Sequence, residues 1–146
     1  MTNILDRLLH QRLLWLALFI GYTLLLTFMS MNPWFRPSPS PDDLIPEDKV
    51  GHFVGYLSLS VLMGLAFWEK LRRLPDRWKG VLLIVLASTL YGGMIEVAQA
   101  TLTDYRSGEW GDVLANGVGA AAGGLVLLVL LMRIRSRASA PPDTAG

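Results

Sequence analysis

Residues 80–101 read GVLLIVLASTLYGGMIEVAQAT, and Glu96 is the only side chain among them that is charged at neutral pH in water. A helix rises about 1.5 Å per residue, so a run of this length crosses the roughly 30 Å hydrocarbon layer of a bilayer. An ionisable group at a bilayer centre costs about 2.5–3.5 kcal/mol on insertion scales, so Glu96 needs a reason to be there. The rest of the chain has the same character: 52% of its 146 residues are hydrophobic, 17% are charged, and the mean hydropathy is +0.41. Three further apolar stretches lie near 13–31, 50–68 and 111–132. The expected fold is an all-α membrane protein, a bundle of about four transmembrane helices filling residues 13–132 as one domain.

Charge sets the expected orientation. Of the 13 Lys and Arg residues, ten flank the same side: Arg7, Arg12, Lys70, Arg72, Arg73, Arg77, Lys79, Arg133, Arg135 and Arg137. Arg36, Lys49 and Arg106 fall on the other side, together with eight of the 12 acids. The positive-inside rule then puts both termini in the cytoplasm. The basic segments are accounted for by orientation, and nucleic-acid binding is not expected. Residues 1–12 form a basic, amphipathic cytoplasmic start. It resembles a signal peptide, but the apolar run behind it is too long and no small-x-small cleavage site precedes Asn32-Pro33, so a retained helix is expected. Residues 32–49 carry Pro33, Pro37, Pro39, Pro41 and Pro46 and read as an extended external loop, with Trp34 and Phe35 at the interface. The connection 103–111 is short enough to make the third and fourth helices antiparallel neighbours, with Tyr105 and Trp110 at headgroup depth. Residues 133–146 read as a disordered cytoplasmic tail. Trp15, Phe19, Phe67 and Trp68 read as lipid-facing or belt residues. With no Cys in the chain, disulfide and thiolate chemistry are excluded.

Helical spacing gathers the polar residues onto faces. At about 100° per residue, Asp112, Asn116, Gly119 and Gly123 share a stripe on the fourth helix, and the two glycines permit close backbone approach. Asp48, His52, Gly55 and Leu59 share a face of the second helix, with Tyr56 at its flank. Thr89, Gly92, Glu96 and Gln99 do so on the third, and Thr23, Thr27 and Ser30 on the first. His52 and Asn116 fall about one turn inside their helices' outer ends and Glu96 about one turn below its own, which places them in one layer. Structural roles compete with functional ones here. Asn116 and Gln99 can be interhelical hydrogen-bonding glue, and Asp48 and Asp112 can serve their helix N-termini. Glu96 lies near a helix C-terminus, where the dipole disfavours an anion, so it needs a partner, and Arg106 is the obvious one. A carboxylate beside His52 would tune it for proton transfer.

Taken together, Asp48-Lys49-x-x-His52-x-x-x-Tyr56, Ile95-Glu96-x-x-Gln99, Arg106 and Asp112-x-x-x-Asn116-x-x-Gly119-x-x-x-Gly123 resemble the VanZ-like family of small bacterial membrane proteins over roughly residues 48–124. Where family members often have a Pro-Gly-Arg turn, this chain has Thr103-Asp104-Tyr105-Arg106. The resemblance implies a multi-pass protein of the bacterial inner membrane, named after an accessory protein of glycopeptide resistance associated with reduced susceptibility to teicoplanin. It also implies that Asp48, Lys49, His52, Tyr56, Glu96, Gln99, Arg106, Asp112 and Asn116 are the characteristic residues.

Two functions follow as expectations. One is an accessory protein of the envelope that binds a lipid-linked or glycopeptide ligand at the outer face through Asp48, Lys49, Tyr56, Gln99, Arg106 and Asn116. The other is an enzyme acting on a lipid-linked envelope substrate, with His52 or Glu96 as general base and Asp112 orienting the histidine. A single His among carboxylates is a weak zinc signature, so no metal is assigned and no cofactor is named. Unbroken helices argue against a transporter or channel in a monomer, and an oligomer is left open.

Overall fold

The computed structural model describes residues 11–35, 46–104 and 108–138, with side chains given for 11–34, 46–104 and 108–134. Within them the chain forms α1 (Arg12–Met31), α2 (Glu47–Ala66), the short α3 (Trp68–Arg73), α4 (Arg77–Leu102) and α5 (Trp110–Ala138), with a single 3-10 turn at Pro33–Phe35. No strand occurs among the described residues. Four of the helices are long and apolar enough to cross a membrane. The C-terminal ends of α1 and α4 and the N-terminal ends of α2 and α5 meet at one end of the bundle, the connection end, and α3 lies at the opposite end.

A long helix lies on each of the four apolar stretches, with bounds that differ from those expected. Helix α2 starts at Glu47, so Asp48 and Lys49 belong to its first turn and do not precede it. Helix α4 starts at Arg77, just after Pro75-Asp76, and α5 continues to Ala138. The stretch 133–138, expected to belong to a disordered tail, is therefore helical. Loss of hydropathy marks where a chain leaves hydrocarbon, whereas Met132-Arg-Ile-Arg-Ser-Arg-Ala138 still consists largely of good helix formers.

Helix α2 packs most extensively on α5, and α4 closes the other side of α5. Gly119 and Gly123 make this possible. A Cβ on Gly119 would run into the Phe53 carbonyl, and one on Gly123 would lie 2.6 Å from the Leu57 oxygen and 2.9 Å from the Ser60 Cβ. Helix α1 is peripheral: Ser30 is its one buried residue. It is tied in by polar contacts, with the Tyr22 hydroxyl donating to the Gly55 carbonyl at 3.1 Å and the Thr27 hydroxyl bonded to that of Tyr91.

The core divides by chemistry along the bundle axis. Toward the α3 end, Leu65, Trp68, Leu71, Val81, Ile84, Leu127 and Leu131 form an apolar cluster. Trp68, expected among the lipid-facing or belt aromatics, is 2% exposed. The chain leaves helical geometry at Phe67 (φ −102°, ψ 17°) and resumes as α3. That break turns Trp68 and Leu71 beneath α4, while Phe67 stays at the surface, edge-on to Phe19 at 6.4 Å.

Candidate functional site

Toward the connection end the buried residues turn polar: Glu96, Gln99, Asp112 and Asn116 are all at most 7% exposed. Three helices supply the cluster. Helix α2 brings Asp48 and Lys49 from its first turn and His52 from its second, α4 brings Glu96 from its last two turns, and α5 brings Asp112 and Asn116 from its first two.

Lys49 is the hub. Its ammonium donates to Asp48 Oδ2 at 3.0 Å, to Glu109 Oε2 at 2.7 Å and to Asp112 Oδ1. Asp48 also accepts the backbone N–H of Lys49 at 2.9 Å. One cation thus gathers three carboxylates from both sides of the α2–α5 contact. Charge-assisted bonds of this kind are about twice as strong as neutral ones.

His52 sits one turn deeper, between oxygen atoms. Nδ1 lies 2.9 Å from Asn116 Oδ1 and 3.7 Å from Glu96 Oε1, and Nε2 lies 3.4 Å from Asp112 Oδ2. Asp112 therefore joins the two parts of the cluster, with one oxygen on Lys49 and the other toward His52. Glu96 Oε2 accepts the backbone N–H of Glu109 at 3.4 Å, which ties the end of α4 to the start of α5.

His52, Glu96 and Asn116, expected in one layer, lie together, with His52 facing both, and Asp112 approaches the same ring from one turn nearer the end of α5. Tyr56 and Gln99 occupy other places. Tyr56 is 1% exposed and packs toward Gly92 and the Tyr91 ring, at the core and not at a flank. Its hydroxyl has no hydrogen-bond partner among the described residues, nor does Asn116 Nδ2. Gln99 donates from Nε2 to the Ser30 carbonyl at 2.6 Å, so its amide fastens α1 to α4. Arg106 lies outside the described residues, as does Tyr105. Glu109 is the residue that the sequence reading left out of the site. It stands three positions before Asp112, on the side that a helix would turn toward Lys49, and this spacing was the available signal.

His52, Glu96 and Asp112 bring potential metal-ligand atoms within 4.8 Å of one another, and Asp48, Glu109 and Asp112 do the same. Both sets share Asp112, where the Lys49 ammonium already supplies positive charge. The donor set, one imidazole and otherwise carboxylate oxygen, suits a hard cation better than zinc.

A groove of about 670 Å³ opens beside the cluster, between α4 and α5. Among the described residues its lining is mainly apolar, with Glu96 and Glu109 as the charged members.

Asp48, Lys49, His52, Glu96, Asp112 and Asn116, six of the nine residues through which the sequence resembles a known family, meet in this cluster, and direct comparison supports the resemblance. The VanZ/LLP1 family model matches residues 13–132, the span from the start of α1 to the last turns of α5. Curated proteins and solved structures give no match. With most of its length matched and four helices long and apolar enough to span a membrane, the chain belongs to the VanZ/LLP1 family.

Proposed function

We propose that this is a multi-pass protein of the bacterial inner membrane that binds the polar head of an envelope amphiphile, lipid-linked or glycopeptide, as an accessory factor of the glycopeptide-resistance type. Both termini are then cytoplasmic and the polar cluster faces outward. The observation that carries this reading is the convergence of His52, Glu96, Asp112 and Asn116 in one buried layer beside a groove. Burying this many polar and ionisable groups in a membrane bundle is costly, and such groups mark functional sites by default.

Binding is favoured over catalysis by His52 itself. Each of its ring nitrogens faces a protein oxygen, so neither is open to take a proton from an incoming substrate. Glu96, which lines the groove, is the better placed contact for a ligand. Lys49, held by three carboxylates, acts as a structural cation more than as an anion receptor.

In a strain deleted for the gene, Glu96→Gln should leave teicoplanin susceptibility at the level of the deletion while accumulating normally in the membrane. Resistance equal to wild type would refute the site.

Orientation has its own test. A Cys placed at exposed Asp104 should react with an impermeant thiol reagent in intact cells, and one at exposed Pro75 should not, in a chain that has no Cys to interfere. The reverse pattern would put the cluster at the cytoplasmic face.

A further inference from the structure

Polar groups continue inward from the cluster. One turn deeper, α2 passes from His52 to Tyr56 and α4 from Glu96 to Gly92. Asn116 of α5 joins the two levels. Its Oδ1 lies 2.9 Å from His52 Nδ1, and its Nδ2 reaches the Gly92 backbone. A Cβ on Gly92 would lie 2.7 Å from Asn116 Nδ2 and 2.9 Å from Tyr56 Cε1, so the amide and the edge of the ring converge on one spot of α4. A further turn inward the same spacing brings Ser60 on α2 and Ser88 on α4.

These groups are sealed in without being satisfied. Tyr56, Ser60, Ser88 and Asn116 are at most 1% exposed, and the three hydroxyls and Asn116 Nδ2 have no hydrogen-bond partner among the described residues. A serine hydroxyl can turn onto a carbonyl of its own helix. Tyr56 has no such recourse, because the ring fixes the position of its oxygen. Asn116 has none either, because the other end of its amide is engaged by His52. Turning the amide over only exchanges the deficit: Nδ2 would face His52, and Oδ1 would then need a donor. In helices apolar enough to cross a membrane, such groups have no bulk water to fall back on, and leaving them unmet is costly.

The partner they call for is narrowly defined. It must accept from an amide N–H, or donate to the oxygen if the amide is turned, and it must bond a phenolic hydroxyl as well. It must be neutral, because a further buried charge would need a counter-charge where its neighbours are a hydroxyl, an amide and a glycine. It must also be small, since residues at most 1% exposed leave no approach for a lipid head or a larger solute. Water meets all three conditions, and buried waters typically make about three hydrogen bonds.

We propose that a water molecule is held inside the bundle between the Tyr56 hydroxyl and the Asn116 amide, beside Gly92. This gives Tyr56 a task. Through the water its hydroxyl holds the Asn116 amide, and the amide holds the His52 ring, so Tyr56 is a positioning residue for a site one turn away. The inference is independent of the ligand that the cluster binds and of the side of the membrane it faces.

Radiolytic labelling in heavy-oxygen water reads such a molecule directly, because a hydroxyl radical formed from a bound water adds to the side chain beside it. The full chain in lipid nanodiscs receives a short X-ray pulse, and modified peptides are mapped by mass spectrometry. After correction for intrinsic reactivity, Tyr56 should be modified at least tenfold more than Trp68, an aromatic buried in the apolar cluster. Asn116→Leu, close in size but without an amide, should lower labelling of Tyr56 at least fivefold while Trp68 stays protected. Should that chain fail to fold, Tyr56→Phe supplies a second measurement. Removing a hydroxyl that bonds a water lowers the Tm, here by about 3 °C, whereas removing one with no partner raises it or leaves it unchanged. Tyr56 as protected as Trp68 would overturn the proposal. So would Tyr56 labelled at the wild-type level in a folded Asn116→Leu chain, or a Tyr56→Phe chain at least as stable as wild type.

Discussion

Gly119→Leu should prevent recovery of folded protein. The obstacle to a side chain at this position is the backbone of Phe53: its carbonyl oxygen occupies the space, and its C and Cα lie 2.9 and 3.0 Å from where the Cβ would be. A flexible side chain could turn away, but a helix backbone cannot move without taking α2 with it. Overpacking costs about 1–3 kcal/mol where neighbours can adjust and more where they cannot, and here the obstructed contact is the main helix–helix interface of the bundle. Gly123→Leu should behave alike, against Leu57 and Ser60. Val126→Leu, 43% exposed on the same helix, should be nearly silent. Monodisperse yield from mild detergent measures the difference, and equal tolerance at 119 and 126 would disprove the close α2–α5 contact.

Lys49→Met should be the most damaging substitution in the polar cluster. It keeps most of the aliphatic stem and removes the charge that holds Asp48, Glu109 and Asp112 together. Removing one partner of a buried ion pair costs about 3–5 kcal/mol, because the other charge is left uncompensated. The Lys49 and Asp112 side chains are 21% and 10% exposed, so partial solvation puts the expected loss toward the lower end of that range. Adding Asp112→Asn should recover part of it, since that removes one of the carboxylates left without its cation. A purified Lys49→Met chain as stable as wild type would show that the three contacts do not hold the fold.

The bundle was legible because membrane insertion reduces the problem to few variables. Every backbone polar group must be satisfied inside hydrocarbon, so an apolar run of about 20 residues has to be a helix. Helical periodicity then places residues four apart on one side, which is why Asp112, Asn116, Gly119 and Gly123 could be assigned to a packed face. Face and depth, counted in residues from the helix ends, put His52, Glu96 and Asn116 in one layer, and the contacts of His52 with the other two are what the structure adds.

What escaped the sequence reading depends on contacts that no periodicity encodes. Nothing in Ala66-Phe-Trp-Glu69 signals an interruption, yet the helix breaks at Phe67 and buries Trp68 against α4. An indole at the end of an apolar run satisfies the expectation for a belt residue equally well, and only the path of the next helix separates the two. Gln99 and Lys49 illustrate the same point for function. Gln99 was read both as interhelical glue and as a ligand contact, and Lys49 both as a helix cap and as a ligand contact. Gln99 is committed to the Ser30 carbonyl of a helix almost seventy positions earlier, and Lys49 to acids about sixty positions later. Glu109 stood in a connection, where acids are commonplace, and it gains its meaning only from α2 lying beside it.

Under the proposed function neighbouring charges do different work: Lys49 holds the bundle together, and Glu96 is held by the bundle for a ligand. Thermal unfolding of wild type, Lys49→Met and Glu96→Gln, extracted in the same mild detergent, tests that division most directly. The expected Tm falls by about 10 °C in Lys49→Met and by no more than about 3 °C in Glu96→Gln, whose amide keeps the size and an acceptor for the Glu109 N–H. A fall in Glu96→Gln as large as that in Lys49→Met would contradict the account, because it would make Glu96 one more member of the scaffold.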